Sequence, residues 1–70
     1  MDYEVEIKII ASKIKSLRLA QHMSIQELAN KCDIERPNMS RIESGTENVT
    51  IKTLCKICTA LNITLSDIIR

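Results

Sequence analysis

Few side chains in this sequence have a type and spacing that could do chemistry. Cys55 and Cys58 stand three apart, the separation of half a zinc site or of a redox dithiol. A structural zinc site wants four ligands. The sequence offers no second pair of this kind and one histidine, His22. Cys58 is therefore expected in the core and Cys55 as a bystander. No Ser, Cys or Asp motif accompanies His22, so it reads as a surface residue near a helix end, weakly coupled to the helix dipole. Neither catalysis nor a cofactor nor a metal is expected. What remains is a pair of arginines, Arg36 and Arg41, whose planar forks suit paired acceptors. Taken alone, they are also what a solvated surface looks like.

Their setting says more. Both lie in Ser24–Gly45, SIQELANKCDIERPNMSRIESG. Ser24-Ile25-Gln26-Glu27 is a capping box that starts a helix. That helix carries Leu28, Ala29 and Cys32 inward and stops near Cys32. After a turn through Asp33 and Ile34, the next helix begins near Glu35 or Arg36. Pro37 falls in its first turn, where a missing N–H costs nothing, and Gly45 ends it as a left-handed C-cap. Two helices joined by about three residues must cross steeply. The crossing needs a small side chain, which Ala29 supplies, and a turn residue that tolerates positive φ, which falls to Asp33. Leu28, Cys32, Ile34, Met39 and Ile42 provide the apolar positions.

The flanking segments read as helices too. Ile7, Ile10, Ile14 and Leu17 recur at helical spacing in a first helix running from Tyr3 or Glu4 to about Gln21. Val5 and Ile9 lie off that stripe, so residues 1–9 could extend the core or meet a second subunit. Thr46–Val49 is expected to be a loop. Thr50 caps a fourth helix with an inward stripe of Leu54, Ile57, Cys58 and Leu61, which Asn62 can end in the left-handed conformation. Thr64-Leu65-Ser66-Asp67 caps a short fifth helix carrying Leu65, Ile68 and Ile69. Residues 1–70 thus read as one all-α domain of five helices without a strand.

Composition bounds the partners. Seventy residues, 44% of them hydrophobic, lie near the lower limit for folding on a single core. One Gly and one Pro favour helices joined by short turns. Tyr3 is the only aromatic residue, which argues against single-strand and RNA readers that stack bases on rings. The net charge of +1 is unevenly spread. Asp2, Glu4 and Glu6 sit in the first six residues, and residues 7–70 hold ten bases against six acids. Charge alone leaves a solvated surface of mixed sign. Three cysteines cannot all pair, and Ile7–Ala11, broken by Lys8, is too short to span a bilayer. A reducing cytosol and no membrane contact are expected.

The sequence resembles the lambda-repressor-like (Cro/repressor) helix-turn-helix family over roughly Ile10 to Ile69. Beyond Ser24–Gly45, the resemblance is carried by Ile14-Lys15-Ser16-Leu17-Arg18 and by Leu54-Cys55-Lys56-Ile57-Cys58-Thr59-Ala60-Leu61-Asn62-Ile63. It implies a five-helix domain whose third helix, about 35–44, enters the major groove of double-stranded DNA. It places Arg36, Pro37 and Arg41 against base edges, with Glu35 and Ser40 as further contacts. Arginine is well shaped for guanine O6 and N7. Ser24, Asn38 and Ser44 match positions that hold phosphates, and Arg18 and Glu43 match a pair joining the first helix to the third. Asp33 replaces a turn glycine, Glu35 an N-cap Ser or Thr, and Glu47 lies in a loop that often carries Lys. There its carboxylate would repel a phosphate.

The expected function is a sequence-specific transcriptional regulator binding a pseudo-palindromic operator as a homodimer. Its fifth helix and the end of the fourth form the dimer interface. The alternative is an antitoxin or anti-regulator acting mainly on a protein partner.

Overall fold

The computed structural model describes residues 1–69. Five helices follow in order: α1 (Tyr3–Ala20), α2 (Ile25–Cys32), α3 (Arg36–Ser44), α4 (Ile51–Leu61) and α5 (Leu65–Ile69). No strand occurs among the described residues.

Most starts are written in side chains. Asp2 accepts from the Glu4 N–H at 3.0 Å, and Thr50 accepts from the Thr53 N–H at 3.1 Å. The Ser24 box is complete, with Glu27 N–H donating to Ser24 Oγ and Ser24 N–H to Glu27 Oε1, both at 3.0 Å. Ahead of α5, the Thr64 N–H donates to Asp67 Oδ2 at 2.9 Å. These bonds hold the Glu27 and Asp67 carboxyls below their ordinary range, the backbone N–H of Ser24 and of Thr64 being the first cause in each. Each cap contributes above the usual carboxylate range and fades as pH falls through the lowered value. The exception is α3, whose N-cap Glu35 makes no side-chain cap. Pro37 in its first turn removes one of the N–H groups a cap would serve.

The stops of α1, α2, α3 and α4 use one device. His22, Asp33, Gly45 and Asn62 are left-handed, with φ of 56°, 56°, 77° and 57°. The next residue's N–H reaches five back in every case: Met23 to Arg18 O, Ile34 to Ala29 O, Thr46 to Arg41 O and Ile63 to Cys58 O, at 2.9–3.2 Å. These are Schellman caps. The sequence pointed to three of them; His22, at a position with no turn signature, is a finding of the structure. Asp33 carries a Cβ where glycine would be unstrained, so Asp33→Gly is expected to stabilise by up to about 1 kcal/mol. Thermal melting checks this, and an unchanged or lower Tm would mean that the Asp33 side chain itself supports the turn. At Gly45 a Cβ would lie 3.0 Å from Lys8 Cγ and 3.3 Å from Lys8 Cα, because α1 passes close by.

Ile14, Leu28, Met39, Ile57, Leu61 and Ile68 are the largest fully buried side chains. Ala29, Cys32, Ile42, Leu54 and Cys58 complete the core around them. Helix α1 packs on α3, α4 and α5, and α2 on α3 and α4. Two buried hydrophobic residues lie outside the sequence-derived stripes, Ala11 in α1 and Met23 in the α1–α2 turn. Val5 and Ile9 are exposed, so the first turns of α1 do not extend the core. Near the other end of α1, the Gln21 side-chain amide donates to Leu61 O at 2.6 Å, fastening that end to the end of α4.

Candidate nucleic-acid interface

Helices α2 and α3 pack together, and Ala29 of α2 and Met39 of α3 are both fully buried. A side chain larger than Ala29 would push the helices apart, so this residue sets how closely α3 approaches the body of the domain. With Met39 and Ile42 turned inward, Glu35, Arg36, Pro37, Ser40 and Arg41 remain exposed, and Asn38 is half-buried. The five residues read from the sequence as base contacts thus all lie on the solvent-facing side of α3. At its first turn, an open groove of about 620 Å³ lies between the helices. It is lined by Gln26, Asn30, Asp33, Glu35, Arg36 and Pro37, among others.

The residues read as phosphate contacts are more dispersed. Ser24 is exposed at the start of α2, where its N–H and Oγ are already used by the capping box. The Ile25 and Gln26 N–H groups, by helix geometry, have no partner within the helix and are suited to an anion. Ser44 Oγ donates to Arg41 O at 2.9 Å and lies 2.9 Å from Thr46 Oγ1. Asn38 is turned along its own helix, its Oδ1 accepting from Arg41 Nη2.

Helix α3 is held in place by one side chain of α1. Arg18 Nε donates to Glu43 Oε2 at 2.7 Å and Nη2 to Glu43 Oε1 at 3.0 Å, a bidentate pair. Nη1 donates to Met23 O at 2.7 Å. The two side chains are only 9% and 5% exposed. The same arginine therefore grips α3 and the turn that leads into α2. Met23 O could not have been found from the sequence, because a carbonyl acceptor has no residue-type signature.

Sequence reasoning also missed a role for Glu47. Read there as a charge that repels phosphate, it lies with Oε1 3.6 Å from Arg41 Nε. Gly45 folds the chain back after α3, which brings residue 47 alongside residue 41. The two side chains are 53% and 46% exposed.

Cys32 and Cys58 are buried, and burial pushes both thiols up from their ordinary pKa; Cys55 is exposed, and all three are free. Among the described residues no group of three or more His, Cys, Asp or Glu is placed to hold a metal ion. No helix among them is long and apolar enough to cross a membrane.

Two helices joined by a three-residue turn, the second exposed and arginine-bearing, are the arrangement of a helix-turn-helix. Residues 13–70 match the family model described as the Cro/C1-type HTH DNA-binding domain. The chain belongs to the Cro/C1-type helix-turn-helix family. Two control proteins are among the relatives of this Cro/C1-type domain. C.BamHI of Bacillus amyloliquefaciens is 36% identical over 62 residues, spanning 87% of this chain and 76% of that protein. C.MunI of a Mycoplasma species is 38% identical over 65 residues, spanning 90% and 88%. The restriction-modification controller C.AhdI of Aeromonas hydrophila superposes with a TM-score of 0.88 at 25% identity, covering 91% of this chain and 97% of that one. The family is one of DNA-binding transcription regulators, not of enzymes. In this Cro/C1-type domain α2 and α3 are the helix-turn-helix, and the all-α, lambda-repressor-like architecture expected from the sequence is the one observed.

Proposed function

We propose that this protein is a sequence-specific regulator that binds a pseudo-palindromic duplex operator as a homodimer, with α3 in the major groove, and acts as a controller of the restriction–modification kind. One observation carries the reading. Helix α3 buries Met39 and Ile42 while leaving Glu35, Arg36, Pro37, Ser40 and Arg41 to solvent. The major groove admits an α-helix, and there each base pair presents a distinct pattern of donors and acceptors. Ser24, Asn38 and Ser44 are the proposed phosphate contacts, setting register without reading sequence. The controller role is supported by the two control proteins that match along most of their length.

The dimer is proposed to form through α5 and the end of α4, where Ile69 is 53% exposed beside the fully buried Ile68. Such a dimer sets its two recognition helices about 34 Å apart, one turn of B-DNA. Ile69→Glu should then yield a monomer by light scattering that binds a two-half-site duplex far more weakly. Val5→Glu should leave both properties intact. The opposite pattern would move the interface to α1. The test of function itself is selection from a randomised duplex library followed by gel shift at two salt concentrations. Enrichment of a two-fold-symmetric sequence is expected. Equal retention of every sequence, or of none, would set the operator reading aside in favour of a protein partner.

A further inference from the structure

We propose that Glu47, with Asn38, positions Arg41 so that only one edge of its guanidinium is presented to DNA, making Glu47 a specificity-determining residue although it reads no base. The proposal rests on the reading of α3 as the recognition helix.

The stereochemistry of arginine carries it. A guanidinium offers two double-donor edges, a side edge (Nε and Nη2) and an end edge (Nη1 and Nη2). In Arg18 the side edge is in use, with Nε and Nη2 each donating to one oxygen of Glu43. In Arg41 the same side edge faces two separate acceptors. Nη2 donates to Asn38 Oδ1 from one turn earlier in α3, and Nε faces Glu47 Oε1 at 3.6 Å from the loop beyond Gly45. That leaves the end edge for a ligand. An end-on fork matches guanine O6 and N7 and reaches further into the groove than a side-on one.

Charge acts in the same direction. Phosphates attract an unaccompanied arginine regardless of sequence, and this is the main source of non-specific binding. A carboxylate 3.6 Å from Nε offsets the charge of Arg41 and repels the backbone, whereas a directional bond to a base edge loses less. In water so exposed a pair is weak. Inside a groove, with water displaced, the same contact strengthens. Glu47 thus lowers the attraction of Arg41 for any duplex while preserving its fit to one base pair.

The experiment uses the full chain, the duplex enriched from a randomised library and a scrambled duplex, compared at one salt concentration. Wild type, Glu47→Gln, Glu47→Asp, Arg41→Ala and the two double variants are measured. Because Glu47 is in an exposed loop, melting temperatures should be unchanged. Glu47→Gln should tighten binding to the scrambled duplex on the order of three- to tenfold and leave the enriched duplex within about twofold, so that the preference falls. Glu47→Asp keeps the charge but shortens the reach, and should lower the preference without the gain on scrambled DNA. In the Arg41→Ala background neither change should alter the preference. Equal tightening on both duplexes by Glu47→Gln would overturn the proposal, leaving Glu47 a repelling charge only. So would a wild-type preference in Glu47→Asp, or an undiminished effect without Arg41. If wild type enriches no sequence at all, the reading of α3 falls first and this proposal with it.

Discussion

Arg18→Ala should destabilise the domain by about 3–5 kcal/mol, the range for removing one partner of a buried ion pair. The size comes from what is left behind more than from what is lost. Glu43, 5% exposed, keeps its charge without either of the two N–H groups that now meet its oxygens. Met23 O, at a buried residue, loses its third-party donor as well. Small domains have a total stability of roughly 5–15 kcal/mol, and seventy residues belong towards the lower end. The variant should therefore be largely unfolded not far above room temperature. Arg18→Lys should recover only part of the loss, since one ammonium cannot serve both oxygens and the carbonyl in a fixed fork. Replacing the pair together, Arg18→Met with Glu43→Leu, should cost much less than Arg18→Ala alone, because no charge is stranded. Denaturant titration of the four proteins checks the set. A loss below about 1 kcal/mol for Arg18→Ala would mean the pair behaves as a surface one.

The second large effect is expected in binding. Arg36→Ala and Arg41→Ala should each weaken binding to the enriched operator by about 1–3 kcal/mol, the worth of a bidentate contact to a base. On scrambled duplex the loss should be smaller, and the preference at one base pair should relax in each variant. Ser44→Ala should instead weaken all sequences about equally, because phosphates are the same everywhere. Competition binding on an operator library at fixed salt separates the two patterns. Both arginines are exposed, so folding should not confuse the result. An intact preference in both variants would mean that α3 is not the reader, and would favour a protein partner.

The helices were legible because their limits are local. Ser24 and Glu27, Thr50, Gly45 and Asn62 each act within five residues, so type and spacing alone placed α2, α3 and α4 to within a residue or two. Core stripes were legible for a related reason, since periodicity reports which face must be covered. The omissions have a common cause. Ala11 and Met23 are buried because α1 is overlain by α3, α4 and α5, which is a property of the assembly and not of a repeat. His22 is left-handed because α1 has to stop before α2 can start, with no residue there that favours a turn. At the interface, sequence supplied the exposed face of α3 but treated Glu47 only as a charge near phosphate. Its place beside Arg41 depends on the chain reversal at Gly45, and no pairwise spacing rule spans such a turn.

The pair of left-handed stops around α3 has a consequence for how such proteins diversify. Asp33 ends the preceding helix and Gly45 ends α3 itself, while Met39, Ile42 and Glu43 secure it from below. Everything needed to set the position and length of α3 therefore lies at its ends or on its inner side. Glu35, Arg36, Pro37 and Ser40 can be exchanged one at a time with little effect on folding, so on the proposed reading of α3 operator preference is free to drift while the scaffold stays fixed. The exception is Arg41. Its partners Asn38 and Glu47 tie its replacement to theirs, so related regulators that change this residue are expected to change all three together.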